Sequence, residues 1–220
     1  MARLSINIHV IDHHPESRQS IRRLLAEAGL HAQVTQEFGH YDEALRGLKN
    51  ETPDLMIVEI GIRNGNGMEF IRKMRLHYPN VRILAFTHQD EALYAERALR
   101  VGAHGYLMKN ASAQTFQQAV RAVLCGELFV SPAIEEKILR GIAGTEETDE
   151  RDPEKVLSNR ELEIFVKIGE GTSSREIAEQ LALSIKTVET HRAHIKRKLN
   201  IRSARDLLQQ AREWVEHTYA

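Results

Sequence analysis

A chain of 220 residues has room for one large domain or two small ones, and 42% hydrophobic with 28% charged residues is the make-up of a soluble globular protein. No apolar run is long enough to span a bilayer, and the opening MARLSINIHV lacks a signal-peptide pattern, which together predict a cytoplasmic protein without a membrane partner. The single cysteine, Cys125, excludes an intrachain disulfide and a cysteine-rich metal centre and is expected to be a small buried residue near a helix end. The formal net charge is −1 but unevenly placed: residues 131–157 hold eight Asp/Glu against four Lys/Arg, whereas residues 186–205 hold seven Lys/Arg and one acid, Glu189. A compact basic segment in a neutral chain points to a local polyanion site.

In chain order, LSINIHVI (4–11) alternates apolar and polar residues as a strand does, and PESRQSIRRLLAEAG (15–29) sets Ile21, Leu24, Leu25 and Ala28 on one helical face before stopping at Gly29. Further strands are predicted near 33–38 and at 54–60, 82–87 and 105–109, with amphipathic helices at about 41–50, 66–77, 91–101 and 112–125. Strand and helix alternating five times predict an α/β, doubly wound, five-stranded parallel sheet, with function gathered at the carboxyl ends of the strands. A short helix is expected at 132–141, and the acidic, aperiodic stretch 144–155 reads as linker. The expected division is therefore a domain at 1–128, a linker with a short helix at 129–156, and a second domain at 157–220.

From Ser158 the pattern is helical only, predicting a small all-α domain. SNRE (158–161) and SSRE (173–176) are capping boxes, in which the serine satisfies a free backbone N–H and the glutamate reaches back. A short helix, the turn LALS, and a longer basic helix make a helix-turn-helix. In SIKTVETHRAHIKRKLN, Val188, Ile195 and Leu199 recur at helical spacing, with His191 on the same stripe. Lys186, Glu189, Thr190, Ala193, Lys196 and Arg197 share the opposite face, where cations suit phosphates and the shorter side chains suit base edges.

Residues 158–203 resemble the LuxR-type DNA-binding domain in RELE, in the glycine before the second helix, in EIA, in TVxxH and in KL. The resemblance implies double-stranded DNA as partner, with Lys186, Thr187, Glu189, Thr190, Arg192 and Lys196 at the DNA surface, beside Arg197 on the outer face read from helical spacing. His191 either touches a phosphate or packs inward. It also implies a homodimer formed through the last helix, about 203–216, with Leu207, Leu208, Ala211, Trp214 and Val215 as its apolar surface.

The first 128 residues resemble the receiver domain of NarL/FixJ-type response regulators, in which a strand-1 acidic pair and a strand-3 aspartate hold Mg²⁺ and that aspartate accepts phosphate. IDHHP supplies Asp12, but His13 stands at the second acidic position; PDLMIVEIG puts Glu59 at the acceptor position and Gly61 at the metal-site carbonyl. ILAFT supplies Thr87 and GYLMK supplies Lys109, the phosphate-side pair, with Tyr106 as the strand-5 aromatic. Arg63 replaces the usual loop proline.

Mg²⁺ demands oxygen ligands in near-octahedral geometry, so histidine at 13 is a poor ligand and binding is expected to be weak or absent. Glu59 is one methylene longer than aspartate, and a misplacement of about 1 Å can cost on the order of 10²-fold in rate. Conventional phosphotransfer is therefore not expected, and no cofactor is called for. Glu59 instead directs a fixed charge at Thr87 and Lys109, a partial imitation of a phosphoryl group. His13, beside Asp12, is expected to be drawn into its protonated form and to close the site with an ion pair. The leading reading is a dimeric, sequence-specific transcription regulator working without aspartate phosphorylation. Two alternatives stay open: a phosphorylation-dependent regulator served by a sensor kinase, and a receiver acting as an interaction or dimerisation adaptor for another regulatory protein. An enzyme is not expected, since a Gly-rich phosphate loop and a nucleophile–base pair are both missing.

Overall fold

The computed structural model describes residues 5–62, 66–143 and 152–219, so Arg63, the amino-terminal end of the predicted first strand and residues 144–151 of the predicted linker lie outside the described residues. The chain divides into two compact units, Met1–Ala143 and Gly144–Ala220.

The first unit runs β1 (Ile6–Ile11), α1 (Pro15–Glu27), β2 (Ala32–Phe38), α2 (Tyr41–Gly47), β3 (Leu55–Val58), α3 (Gly67–His77), β4 (Arg82–Thr87), α4 (Glu91–Val101), β5 (Gly105–Met108), α5 (Ala113–Cys125) and α6 (Pro132–Ile142). The sheet is parallel, in the order β2-β1-β3-β4-β5. Because β1 and β3 are neighbours but the chain leaves β1 toward β2, their carboxyl ends flank the topological switch point, where open α/β sheets place their sites. Burial of every residue of β3 fits a strand covered on both faces. Ile8, Val10, Leu55, Ile57, Leu84 and Phe86 pack with Ile21 and Leu25 of α1 and Phe116, Val120 and Val123 of α5. α2 and α3 meet through Tyr41 stacked on Phe70 at 5.0 Å.

Strict alternation in the first strand is only half the pattern. His9 lies on the other face of β1 and is fully buried, edge-on to Phe38, with neither ring nitrogen hydrogen-bonded. α6 is not a linker element: it buries Ile134, and Ser131 Oγ and Lys137 Nζ reach Glu91 and the Ala92 carbonyl of α4 at 2.8 and 3.0 Å. The backbone before it extends the sheet edge, with Tyr106 N–H donating to Phe129 O and Phe129 N–H to His104 O. Cys125 ends α5 but is exposed, because the αL turn at Gly126 (φ 89°) carries the chain away from it and nothing covers that position.

The second unit contains α7 (Pro153–Val156), α8 (Asn159–Gly169), α9 (Ser174–Gln180), α10 (Ile185–Lys198) and α11 (Ala204–Tyr219). α7 is a single turn, capped by Asp152, inside the stretch read as linker. Both capping boxes form, at Ser158/Glu161 and Ser173/Glu176. The tight turn between α9 and α10 is made by Ala182 at φ 51°, with Leu183 N–H returning to Ala178 O.

Candidate functional site

Asp12 follows β1, Glu59 follows β3, Thr87 ends β4 and Lys109 follows β5, so the sheet itself brings these four side chains together at one rim. Lys109 Nζ lies 2.5 Å from Asp12 Oδ2 and 2.7 Å from Glu59 Oε2, and all three side chains are at most 6% exposed. The other carboxylate oxygen of Glu59 accepts from Thr87 Oγ1 and from the Gly61 N–H at 2.7 Å. The extra methylene of glutamate is thus taken up by folding the carboxylate back over its own loop while still reaching the opposite strands. Gly61 permits this approach, since a Cβ there would meet Gln89 Nε2 at 2.9 Å and Glu59 Oε1 at 3.2 Å. The backbone carbonyl of Glu59 accepts from Tyr41 Oη at 2.7 Å.

Asp12 is held from the other side by the His14 N–H at 2.9 Å, while Arg18 donates to its carbonyl at 2.6 Å. Burial alone would push the Asp12 carboxyl up; the hydrogen bonds from Lys109 and the His14 N–H outweigh it and hold the group below its ordinary value. Tyr106 is buried with its hydroxyl donating to Gln89 O at 2.9 Å, and that burial raises its phenol further from ionisation.

His13 behaves otherwise than expected. Burial and the charge of neighbouring His14 lower its pKa, outweighing Asp12 and Glu59, so the protonated form is disfavoured. Its Nδ1 is 3.8 Å from Asp12 Oδ1, and its ring lies against that of His14 at 3.8 Å. The cation that closes the pocket is Lys109, which already sits between the carboxylates.

The donor set as arranged does not fit the divalent cation that receivers bind. One carboxylate oxygen each of Asp12 and Glu59 is taken by an ammonium, Glu59 Oε1 is taken by Thr87 and Gly61, and position 13 offers nitrogen to a cation that selects oxygen.

In the second unit, Val188, Ile195 and Leu199 are buried as read from the sequence. Lys186, Glu189, Thr190, Ala193 and Arg197 are exposed; Thr187, Arg192 and Lys196 are partly covered. Ser174 Oγ donates to Glu189 Oε1 at 2.6 Å, which fixes the carboxylate against α9, and Thr190 Oγ1 donates to Lys186 O at 2.9 Å, leaving its methyl and acceptor lone pairs outward. Thr187 Oγ1 pairs with Ser184 Oγ at 2.8 Å in the helix cap. His191 is partly covered, with its Nδ1 sealed and without a partner, and burial lowers its pKa.

Glu161 is a residue whose reach the sequence understated. It completes the Ser158 cap and also binds Lys198 Nζ at 2.6 Å, tying the start of α8 to the end of α10. Burial pushes its carboxyl up, but Lys198 and Ser158 hold it below the ordinary value. The surface assigned to the last helix is mostly core. Leu207 and Ala211 are fully buried in their own unit, Trp214 packs edge-on against Phe165 at 5.8 Å, and Val215 lies against Gly169. Of the five residues, Leu208, 39% exposed, is the one presented outward. The reason is that α8 needs a partner to cover its apolar side, and α11 supplies it.

Residues 8–121 match the response regulator receiver domain and residues 155–211 match the luxR family of bacterial regulatory proteins. The chain belongs to the response regulators that join these two parts, and is a DNA-binding member. Among its relatives is the oxygen regulatory protein NreC of Staphylococcus carnosus (strain TM300), 35% identical over 173 residues, spanning 77% of this chain and 80% of that protein. NreC of Staphylococcus aureus (strain JH9) is 34% identical over the same shares. The RcsB response regulator of Salmonella typhimurium shares the fold with a TM-score of 0.65 at 21% identity, covering 96% of this chain and 99% of that one. RcsB solved in complex with DNA matches at 0.57 and 20% identity, covering 96% and 99%. A LuxR-family two-component response regulator from Aurantimonas sp. SI85-9A1 matches at 0.57 and 30% identity, covering 63% of this chain and 99% of its own. Among the described residues, no helix is long and apolar enough to cross a membrane.

Proposed function

We propose that this protein is a cytoplasmic, homodimeric, sequence-specific transcription regulator, not an enzyme, whose receiver is set by Glu59 and works without aspartate phosphorylation. The observation that carries the reading is the double engagement of the Glu59 carboxylate. It touches Lys109 and Thr87, the two groups that stand at the phosphate side of a receiver. Glu59 offers one charge and two oxygens against the roughly −1.5 to −2 charges and three oxygens of a phosphate. Two features compensate: the site is buried, so each contact is stronger than at the surface, and the Gly61 N–H fixes the carboxylate in place. Thr87 donates to Glu59, and the buried Tyr106 donates its hydroxyl to the Gln89 carbonyl. Mg²⁺ binding is weak because a cation must displace Lys109 from both carboxylates. The DNA-bound form of RcsB supports the matching role for the second unit.

Incubating the full chain with acetyl phosphate and Mg²⁺ should give no phosphate adduct by intact mass and leave DNA affinity unchanged. Glu59→Gln, which keeps shape and removes charge, should lower DNA affinity. A stable adduct accompanied by tighter DNA binding would refute the proposal.

A further inference from the structure

Among the described residues of the second unit, two large aliphatic side chains stand exposed, Leu208 on α11 and Ile185 on α10. Ile185 is 51% exposed at the first position of α10, directly after the Ser184 cap. Packing does not require it there: the inward stripe of the helix is supplied by Val188, Ile195 and Leu199, all buried. Polar residues suit an exposed helix start better than an unpartnered isoleucine does, so its position needs another cause.

Helical spacing places Ile185 one turn before Glu189, which is one turn before Ala193, on the outer face. Lys186 and Arg197 are exposed on the same helix, and Arg192 and Lys196 are partly so. An isolated apolar group set among cations fits a surface that is polyanionic at its edges and carries a methyl group at its centre. The DNA major groove is such a surface, with phosphates on its walls and the thymine C5-methyl on its floor. The amino-terminal residues of a recognition helix are those nearest the base edges, and a helical side chain leans toward the amino terminus, which projects Ile185 past the first turn. One oxygen of the neighbouring Glu189 carboxylate is held by Ser174 Oγ.

We propose that Ile185 is a specificity-determining residue that reads a thymine C5-methyl in each half-site. The proposal rests on the DNA-binding reading of the second unit. Removal of one buried methyl should weaken binding about fourfold per half-site.

The test uses the full chain and a duplex selected from a random pool. Each thymine is replaced in turn by deoxyuridine, which lacks only the methyl, and Kd is measured by fluorescence anisotropy. The wild type should lose about fourfold at one thymine per half-site. Ile185→Ser binds more weakly but no longer distinguishes thymine from deoxyuridine there, and Ile185→Val keeps most of the discrimination. Circular dichroism melts of both variants should match the wild type, since the side chain is exposed. Selection that succeeds while the deoxyuridine scan is flat overturns the inference and leaves the DNA-binding reading standing, as does a scan whose losses are unchanged in Ile185→Ser. Failure to select any duplex removes the DNA-binding reading and the inference with it.

Discussion

Replacing Lys109 by methionine would leave Asp12 and Glu59, both nearly excluded from solvent, facing one another with no cation between them. Breaking such a buried arrangement from one side costs about 3–5 kcal/mol, measurable as a shift of the urea midpoint of the first unit. His9 gives a prediction of opposite cause. Burial lowers its pKa despite the pull of Glu51, and both ring nitrogens lack partners. The unfolded chain therefore binds a proton that the folded chain refuses. The stability tied to His9 is complete above the ordinary histidine value of about 6.5 and is lost as pH falls below it. His9→Leu should flatten that part of the pH–stability curve measured by urea denaturation, while remaining folded at pH 8. Residue identity made Thr87 and Lys109 legible, because a polar residue closing an apolar strand stands out. The charge state of His13 was not legible, since it depends on burial and on where the His14 ring lies.

α8 and α11 approach so closely that Gly169 has no room for a side chain: a Cβ would meet Val215 Cγ2 at 2.7 Å and the Ala211 carbonyl closer still. Gly169→Ala should force the helices apart and destabilise the second unit by about 1–3 kcal/mol, seen as a lower melting temperature of its helical signal, with the first unit unaffected. Element limits followed closely from periodicity and caps because the signals are local: a serine, a glutamate three residues on, and an apolar face. Periodicity could not say what each apolar face meets. Leu207 and Ala211 read as surface for a second chain, yet the nearest unsatisfied apolar face is that of α8 in the same unit. α6 read as part of a linker, yet α4 offers Glu91 and the Ala92 carbonyl to hold it.

For the whole molecule, the formal charge of −1 hides an uneven distribution, with a local excess of cations over acids on α10 and the segment after it. DNA affinity should therefore fall steeply with salt, as log Kd against log salt. Lys196→Ala should reduce the slope by roughly one, whereas Thr190→Val should alter sequence preference and leave the slope intact. Lys198 should contribute less than its charge suggests, because Glu161 already holds it.

The sequence by itself determined the two-part organisation, the α/β order, the helix-turn-helix and the identity of the four pocket residues, because strand ends, caps and helical stripes are written in neighbours along the chain. Tertiary structure alone decided that Lys109 and not His13 neutralises the acids, that Glu59 folds back onto Gly61 to reach Thr87, and that the last helix spends its apolar face at home. Those outcomes depend on distances between residues tens of positions apart, and on the low dielectric their packing creates, neither of which a local pattern encodes.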